Sequence, residues 1–338
     1  MRKKVYIVAE IGCNHCGKFD LAKEMVTCAH KCGVDAVKFQ TFNSNELISK
    51  YAPKAHYQIQ TTGDTESQLE MTRKLELSYP EYLELRDYAI SLGIDAFSTP
   101  FDMESVKFLE QTGQKVWKIP SGEITNLPML EKIAGIEIPG KKILLSTGMY
   151  EICEIENAVK IISKYENASN IVLLHCNTEY PTPDVDVNLN AIRTLQEVFP
   201  NLGIGFSDHS VGYIAAVGAC MLDIVMIEKH FTLDKTLPGP DHRASADPQE
   251  LKTLCENIRR IEIMRGSGIK QPTDSEAKNI YIARKSIVAR KSILKGEILS
   301  EDNITCKRPG NGISPMKWYD IIGTYAIRDF GEDELIEI

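Results

Sequence analysis

The chain has 338 residues, 43% hydrophobic and 25% charged, with 39 basic against 47 acidic side chains and a net charge of −8. This is the composition of a globular chain long enough for one large domain or two unequal ones. It excludes a global basic footprint for nucleic acid, although local lysines still decide whether an anionic substrate binds.

The elements alternate along the chain. Short apolar, β-branched runs are predicted as strands over 5–12, 34–42, 94–101, 116–123, 142–148, 171–177, 203–209 and 224–231. Helix-sized intervals separate them from the third onward. Eight strand-then-helix units imply an α/β fold of the (β/α)8 TIM-barrel type, with an open doubly wound sheet as the alternative. Ser78 and Asp247 open capping boxes with Glu81 and Glu250, each with a Pro in the first turn. Residues 43–80 are predicted to form an elaborated loop on the active face of the barrel.

After residue 265 the pattern changes. A catalytic domain over 1–265, a linker over 266–283 and a small unit over 284–338 are expected. The small unit has strands at 286–289, 304–307 and 324–328 and turns at Lys295-Gly296 and Phe330-Gly331. About 55 residues is little for independent stability, so this unit is expected to lean on a barrel, its own or a partner's. The longest mostly apolar stretch, 213–227, is too short to span a membrane and contains Asp223. The first residues lack a cleavage site, and the nine cysteines are odd in number and scattered. A cytoplasmic protein with reduced thiols is expected.

Nearly every predicted strand ends in reactive residue types: Glu10 with Asn14 and His15; Lys38 and Gln40; Ser98 and Thr99; Lys118, Ser121 and Glu123; Ser146 and Thr147; His175, Asn177 and Thr178; Ser207, Asp208 and His209; Glu228, Lys229 and His230. In a barrel these ends meet at one face, which argues for an enzyme over a binding module. Lys38 and Lys118 lie in apolar strands. They are read either as an anion site, with Thr99, Ser121, Ser146 and Ser207 as neutral donors, or as internal ion pairs with Glu10 or Glu123. A Schiff-base lysine is a third option. His209 and His230 close neighbouring strands and suit a divalent metal, with Asp208 and Glu228 as their orienters. Cys13 and Cys16 match a CxxC spacing without a second pair, and are read as small loop residues. Tyr57, Tyr79, Tyr82 and Tyr88 are read as packing.

The stretches YIVAEIGCNH, DAVKFQTF, FSTPFD, WKIPSGEITNLP, LLHCNTEYPTP, GFSDHSVG, IEKHF, GPDHRAS and KRPGNGISPM resemble those of bacterial N-acetylneuraminate (sialic acid) synthases almost end to end. Sister enzymes making legionaminic or pseudaminic acid share much of the set. The resemblance implies a TIM barrel followed by an antifreeze-like (SAF) domain, in a domain-swapped homodimer. It implies condensation of phosphoenolpyruvate with N-acetylmannosamine, phosphate release and a divalent metal, Mn²⁺ with Mg²⁺ or Co²⁺ as alternatives. A diacetamido-trideoxy sugar is the alternative substrate, and a Schiff-base pyruvate aldolase a remoter one. Carried over by motif, His209 and His230 would hold the metal. Lys38, Thr99, Lys118, Ser121, Ser146, Ser207 and either Asn177 or Thr178 would bind phosphoenolpyruvate. Glu10, Gln40, Tyr180, Asp241 and the partner's Arg308 would bind sugar, and Glu123 would move a proton. The common NHNG motif reads Asn14-His15-Cys16-Gly17 here.

Overall fold

The computed structural model describes residues 4–338 and divides into two compact units at Gly266. In the first, eight parallel strands alternate with helices: β1 (Tyr6–Gly12), β2 (Ala36–Thr41), β3 (Asp95–Pro100), β4 (Val116–Ile119), β5 (Lys142–Ser146), β6 (Ile171–His175), β7 (Gly203–Asp208) and β8 (Met226–His230). The ladder runs β3-β2-β1-β8-β7-β6-β5-β4. This is the expected TIM barrel, closed except for a seam where β3 and β4 lie side by side without ladder bonds. The fourth strand ends earlier than expected. Pro120 has no N–H to donate, and a single turn of 3-10 helix follows over Ser121–Glu123.

One side chain stitches the seam. Gln114, just ahead of β4, accepts from the Ser98 amide at 2.8 Å and donates to the Ser98 carbonyl at 2.9 Å. Its oxygen also accepts from Tyr82 Oη at 3.2 Å. A side-chain amide thus supplies the two bonds that a neighbouring strand would have made.

Helices α1 (Phe19–Cys32), α2 (Ser44–Leu47), α3 (His56–Thr62), α4 (Gln68–Arg73), α5 (Tyr79–Ser91), α6 (Met103–Gln111), α7 (Leu127–Ala134), α8 (Ile152–Ile162), α9 (Asn190–Val198), α10 (Ile214–Ala219) and α11 (Pro248–Met264) complete this unit. The predicted capping boxes are made: Ser78 accepts from the Glu81 amide and Asp247 from the Glu250 amide. The long insertion after β2 carries α2, α3 and α4.

Strand parity sorts the barrel. Odd turns of the pleat, such as Ile7, Val37, Phe39, Trp117 and Leu145, meet the helices in the main core. The inward set, Val8, Ala36, Phe97, Leu144, Leu174 and Met226, forms a separate apolar plug inside the barrel. Two residues further along β1, β2, β3, β5 and β8, the inward positions turn polar, to Glu10, Lys38, Thr99, Ser146 and Glu228. The plug is the floor beneath the site.

Parity also corrects several expectations. Ser98 and Thr147 end on the helix side, bonded to Thr41 and to the Leu174 carbonyl. His175 bonds the Val187 carbonyl and stacks on Phe206. Asp208 pairs with Lys229 at 3.1 Å, both side chains with no exposure, and also holds Ser210. Asp208 therefore orients no histidine.

The second unit contains α12 (Asp274–Ala283), the antiparallel pair β9 (Ser286–Ala289) and β10 (Ile304–Lys307), and α13 (Trp318–Ile321) around a core of residues such as Ile287, Ile304, Ile321 and Phe330. Residues 324–328 do not form the expected strand. Tyr325 makes a lone bridge to Ile298, and a bend at 327–328 breaks the run.

Gln114→Leu fills similar volume but strands the buried Ser98 N–H and C=O. A loss of about 2–4 kcal/mol is expected from two unsatisfied buried groups. Urea unfolding of the variant against wild type measures it, and a loss below about 0.5 kcal/mol would show that the seam does not need the amide.

Candidate active site

The C-terminal strand ends open into a cavity of about 460 Å³. Its lining includes Glu10, Lys38, Gln40, Thr99, Lys118, Ser121, Glu123, Ser146, Thr178, Tyr180, Ser207, His209, Glu228, His230 and Asp241. Every barrel residue singled out for substrate or metal is therefore brought to one cavity, except Asn177. That residue stays behind the wall and uses its carbonyl to hold His209 Nδ1, so Thr178 is the member of the pair at the cavity. Arg308 lies in the second unit, exposed, ahead of the cis peptide to Pro309.

A buried charge network forms the cavity floor. Lys38 Nζ lies 2.6 Å from Glu10 Oε2 and 4.0 Å from Glu228 Oε2, and donates to Thr99 at 2.8 Å. Lys118 Nζ donates to both oxygens of Glu228, at 2.7 and 2.9 Å. Ser207 donates to Glu228 Oε1 at 3.0 Å. The ion-pair reading of the lysines is what the structure shows: each lysine pairs with a buried carboxylate beside the cavity. The partner of Lys118 is Glu228 rather than Glu123, which accepts from Asn126 Nδ2 at 2.6 Å. Glu228 itself bonds lysines and Ser207, which removes it as an orienter of a histidine ring.

The two carboxyls respond oppositely. Burial raises Glu10 above the ordinary range, against the pull of Lys38. Burial also works to raise Glu228, but Lys118 and Lys38 outweigh it and hold that carboxyl below the ordinary range. Gly12, at φ +53, ends β1 where a Cβ would press on Glu10 Oε1 at 2.9 Å, so the Glu-Ile-Gly run protects this carboxylate. Gly148 is confined likewise, with a Cβ only 3.0 Å from Ser121 Oγ, which accepts from the Gly148 amide.

The imidazoles of His209 and His230 stand beside this network with centroids 5.2 Å apart. Burial depresses His209 to about 4 and holds His230 well below its ordinary value, so both are neutral near pH 7. A carbonyl only accepts, so His209 Nδ1 carries the proton and Nε2 offers its lone pair beside Tyr180 Oη (3.1 Å) and Ser207 Oγ (3.3 Å). His230 Nδ1 is buried without a hydrogen-bond partner, 3.7 Å from an Asp241 oxygen that burial also tends to protonate. Two neutral imidazoles, one with an orphaned nitrogen, fit a divalent cation. Among the described residues no three His, Cys, Asp or Glu side chains converge on such a point, so water or substrate oxygens would complete the shell.

Some of the lining lies outside the predicted set. Tyr57 of α3 faces the cavity and packs on Tyr180 at 5.2 Å, whereas Tyr79 and Tyr82 pack against Phe108 as expected. Cys13 contacts Asp241 at 3.4 Å. Phe42, Leu47, Ile48, Met71, Leu75 and Phe101 form an apolar side. Phe42 and Phe101 directly follow β2 and β3, a positional signal that chemistry-bearing residue types conceal. The residues of the insertion carried none.

Comparison with known proteins decides the family. The NeuB family model matches residues 25–270 and the SAF domain model residues 284–337. The N,N'-diacetyllegionaminic acid synthase of Campylobacter jejuni is 51% identical over 99% of each chain. The enzyme of the same name from Legionella pneumophila is 43% identical over 94% of this chain and 89% of its own. The chain belongs to the NeuB family. It is a phosphoenolpyruvate-dependent nonulosonic acid synthase, a transferase that forms a carbon–carbon bond. Among solved structures, an N-acetylneuraminic acid synthetase from Leptospira borgpetersenii, in complex with citrate, superposes with a TM-score of 0.71. It is 34% identical, and the match covers 82% of this chain and 90% of that one. In this NeuB chain the barrel cavity lies within the stretch matched by the family model, apart from Glu10 and Cys13, which precede it.

Burial lowers five histidines, His15, His175, His209, His230 and His242, below their ordinary value of 6.5. Their stabilisation is complete above about pH 6.5 and is lost as pH falls toward 4, because the unfolded chain takes up protons that the folded chain refuses. Raised Glu10 and Asp241 act oppositely, since the folded chain protonates them first. The histidines outnumber them, so the melting temperature of the chelator-treated protein is expected to fall between pH 7 and 5. Thermal scans at fixed ionic strength test this, and a flat or rising profile would contradict it.

Proposed function

We propose that the chain is an N,N'-diacetyllegionaminic acid synthase. It condenses phosphoenolpyruvate with a diacetamido-trideoxy sugar and water and releases phosphate. The observation that carries this choice is the 51% identity, over 99% of both chains, to the Campylobacter enzyme of that name. N-acetylneuraminate synthesis from N-acetylmannosamine is the second reading, favoured by the structural likeness to the Leptospira protein at 34% identity. The similarity reverses the order that the motifs suggested. A Schiff-base aldolase needs one lysine set apart as a free amine, whereas Lys38 and Lys118 are both ion-paired.

The residues divide the work as follows. Lys38 and Lys118 hold the carboxylate and phosphate of phosphoenolpyruvate, with Thr99, Ser121, Ser146, Ser207 and Thr178 as neutral partners. Low-dielectric surroundings strengthen each of these contacts. Carbon three then attacks the aldehyde carbon of the open-chain sugar, using the electron pair of the carbon–carbon double bond. The cationic centre left at carbon two is captured by water, and the tetrahedral intermediate expels phosphate by breaking its carbon–oxygen bond. Glu123, fixed by Asn126, delivers or removes the proton. Glu10, Gln40, Tyr180 and Asp241 orient the sugar. His209 and His230 would hold a divalent cation, Mn²⁺ first and Mg²⁺ or Co²⁺ as substitutes. When bound, such an ion supplies Lewis acidity toward the aldehyde oxygen.

We further infer a domain-swapped homodimer in which the partner's Arg308 reaches the sugar, a catalytic domain over 1–265, and a connection over 266–283 that includes α12. A cytoplasmic location is supported by nine free thiols. Among the described residues, no helix is long and apolar enough to cross a membrane.

Competition between the two sugars, read as phosphate release, tests the reading. The diacetamido-trideoxy sugar is expected to prevail in kcat/KM, and preference for N-acetylmannosamine would overturn it. His209→Ala is expected to abolish turnover restored by Mn²⁺ after chelation. Arg308→Ala should raise the sugar KM and leave that of phosphoenolpyruvate unchanged. Unaltered kinetics in either variant would remove that residue from its role.

A further inference from the structure

The cavity is lined at two levels. The deep level consists of strand residues that carry charge, such as Lys38, Lys118 and Glu228. At the outer level, beyond the strand ends, the lining divides by chemistry: Tyr57, Gln58, Gln68, Thr72, Tyr180 and Asp241 are polar, whereas Phe42 after β2, Phe101 after β3, and Leu47, Ile48, Met71 and Leu75 from the insertion form an apolar side. Phe42 and Leu75 are buried with Cys13, and Leu47 and Phe101 pack on them, as an apolar cluster separate from both barrel cores. Phe42 and Phe101 meet edge to face at 6.3 Å, which sets the wall's shape. These six side chains bring no hydroxyl, amide or charge to the cavity.

Bond formation fixes which end of the sugar meets which level. The aldehyde carbon must lie at the deep level, against phosphoenolpyruvate on the lysines. Carbon six is the opposite end of the open chain, and it therefore extends toward the outer level. We propose that the wall of Phe42, Leu47, Ile48, Met71, Leu75 and Phe101 is the specificity surface for a deoxygenated carbon six. It receives the methyl end of a 6-deoxy sugar and disfavours a hydroxymethyl end. A hydroxyl there leaves water and finds no partner on these side chains, whereas a methyl loses nothing and gains contact. This rests on the functional reading above only in that a trideoxy sugar carries such a methyl.

The experiment separates the two claims. Wild-type enzyme with Mn²⁺ is assayed with the diacetamido-trideoxy sugar, N-acetylmannosamine and the 6-deoxy analogue of N-acetylmannosamine, which differs from its parent at carbon six alone. The wall predicts that the 6-deoxy analogue exceeds N-acetylmannosamine in kcat/KM by roughly 10-fold or more. Met71→Gln should shrink that ratio to about one by lowering turnover of the deoxy sugar, with the KM for phosphoenolpyruvate within about twofold of wild type. Met71→Leu should restore it. Leu47→Asn, at a less buried position, provides the same test if Met71→Gln melts early. Equal use of the two N-acetylmannosamines by wild type, or a ratio untouched in both polar variants, overturns the wall. Preference for the 6-deoxy analogue without turnover of the diacetamido sugar keeps the wall and overturns the functional reading.

Discussion

Two ammonium groups held at one end of a parallel barrel are the constraint on which this molecule turns. Lys38 and Lys118 are both about 4% exposed, and an isolated buried ammonium would lose its proton or drag water inside. Glu10 and Glu228 pair with them, Thr99 accepts a further hydrogen bond from Lys38, and Ser207 donates to Glu228. Breaking such a pair from one side costs about 3–5 kcal/mol, because the other charge stays buried. On the proposed reading, a multiply charged anion would bring acceptors that compete with the carboxylates for the same ammonium hydrogens, exchanging internal partners for substrate.

The rest of the barrel serves to place that network. The apolar plug from Val8 to Met226 closes the barrel below it. Strand pairing then aligns Glu10 with Lys38 on one side and with His230 on the other. Parity puts Glu228 and His230 on the same face and sends Lys229 to the other, where Asp208 satisfies it. Gln114 secures the seam between the strand that carries Thr99 and the strand that carries Lys118. A slip of one residue anywhere in this ladder would exchange polar site residues for core residues.

The eight strands and the cavity end were legible because β-branched runs and reactive residues recur in register, and because the motifs are specific. Which polar ends face inward was less legible. His175 and Asp208 look like their neighbours in a one-dimensional list, and only the pleat assigns them to the far side. The Lys118–Glu228 pair is 110 residues apart with three strands between, so no local pattern announces it. Asn177 was separable from Thr178 only once the carbonyl contact to His209 Nδ1 could be seen. The apolar wall left no trace either. Leu47, Met71 and Leu75 lie in the stretch expected only as an elaborated loop, and carry no reactive group to single them out.

The central claim is that the lysine pair is the anion site. The direct measurement is calorimetric binding of phosphoenolpyruvate to the wild-type chain and to the double variant Lys118→Met with Glu228→Gln, which removes both charges of one pair and leaves neither stranded. Folding is verified by thermal melting under the same conditions. The account predicts binding weakened by about 100-fold or more in the double variant, in line with two lost charge-assisted contacts. Binding within about threefold of wild type would place the anion elsewhere and contradict the account.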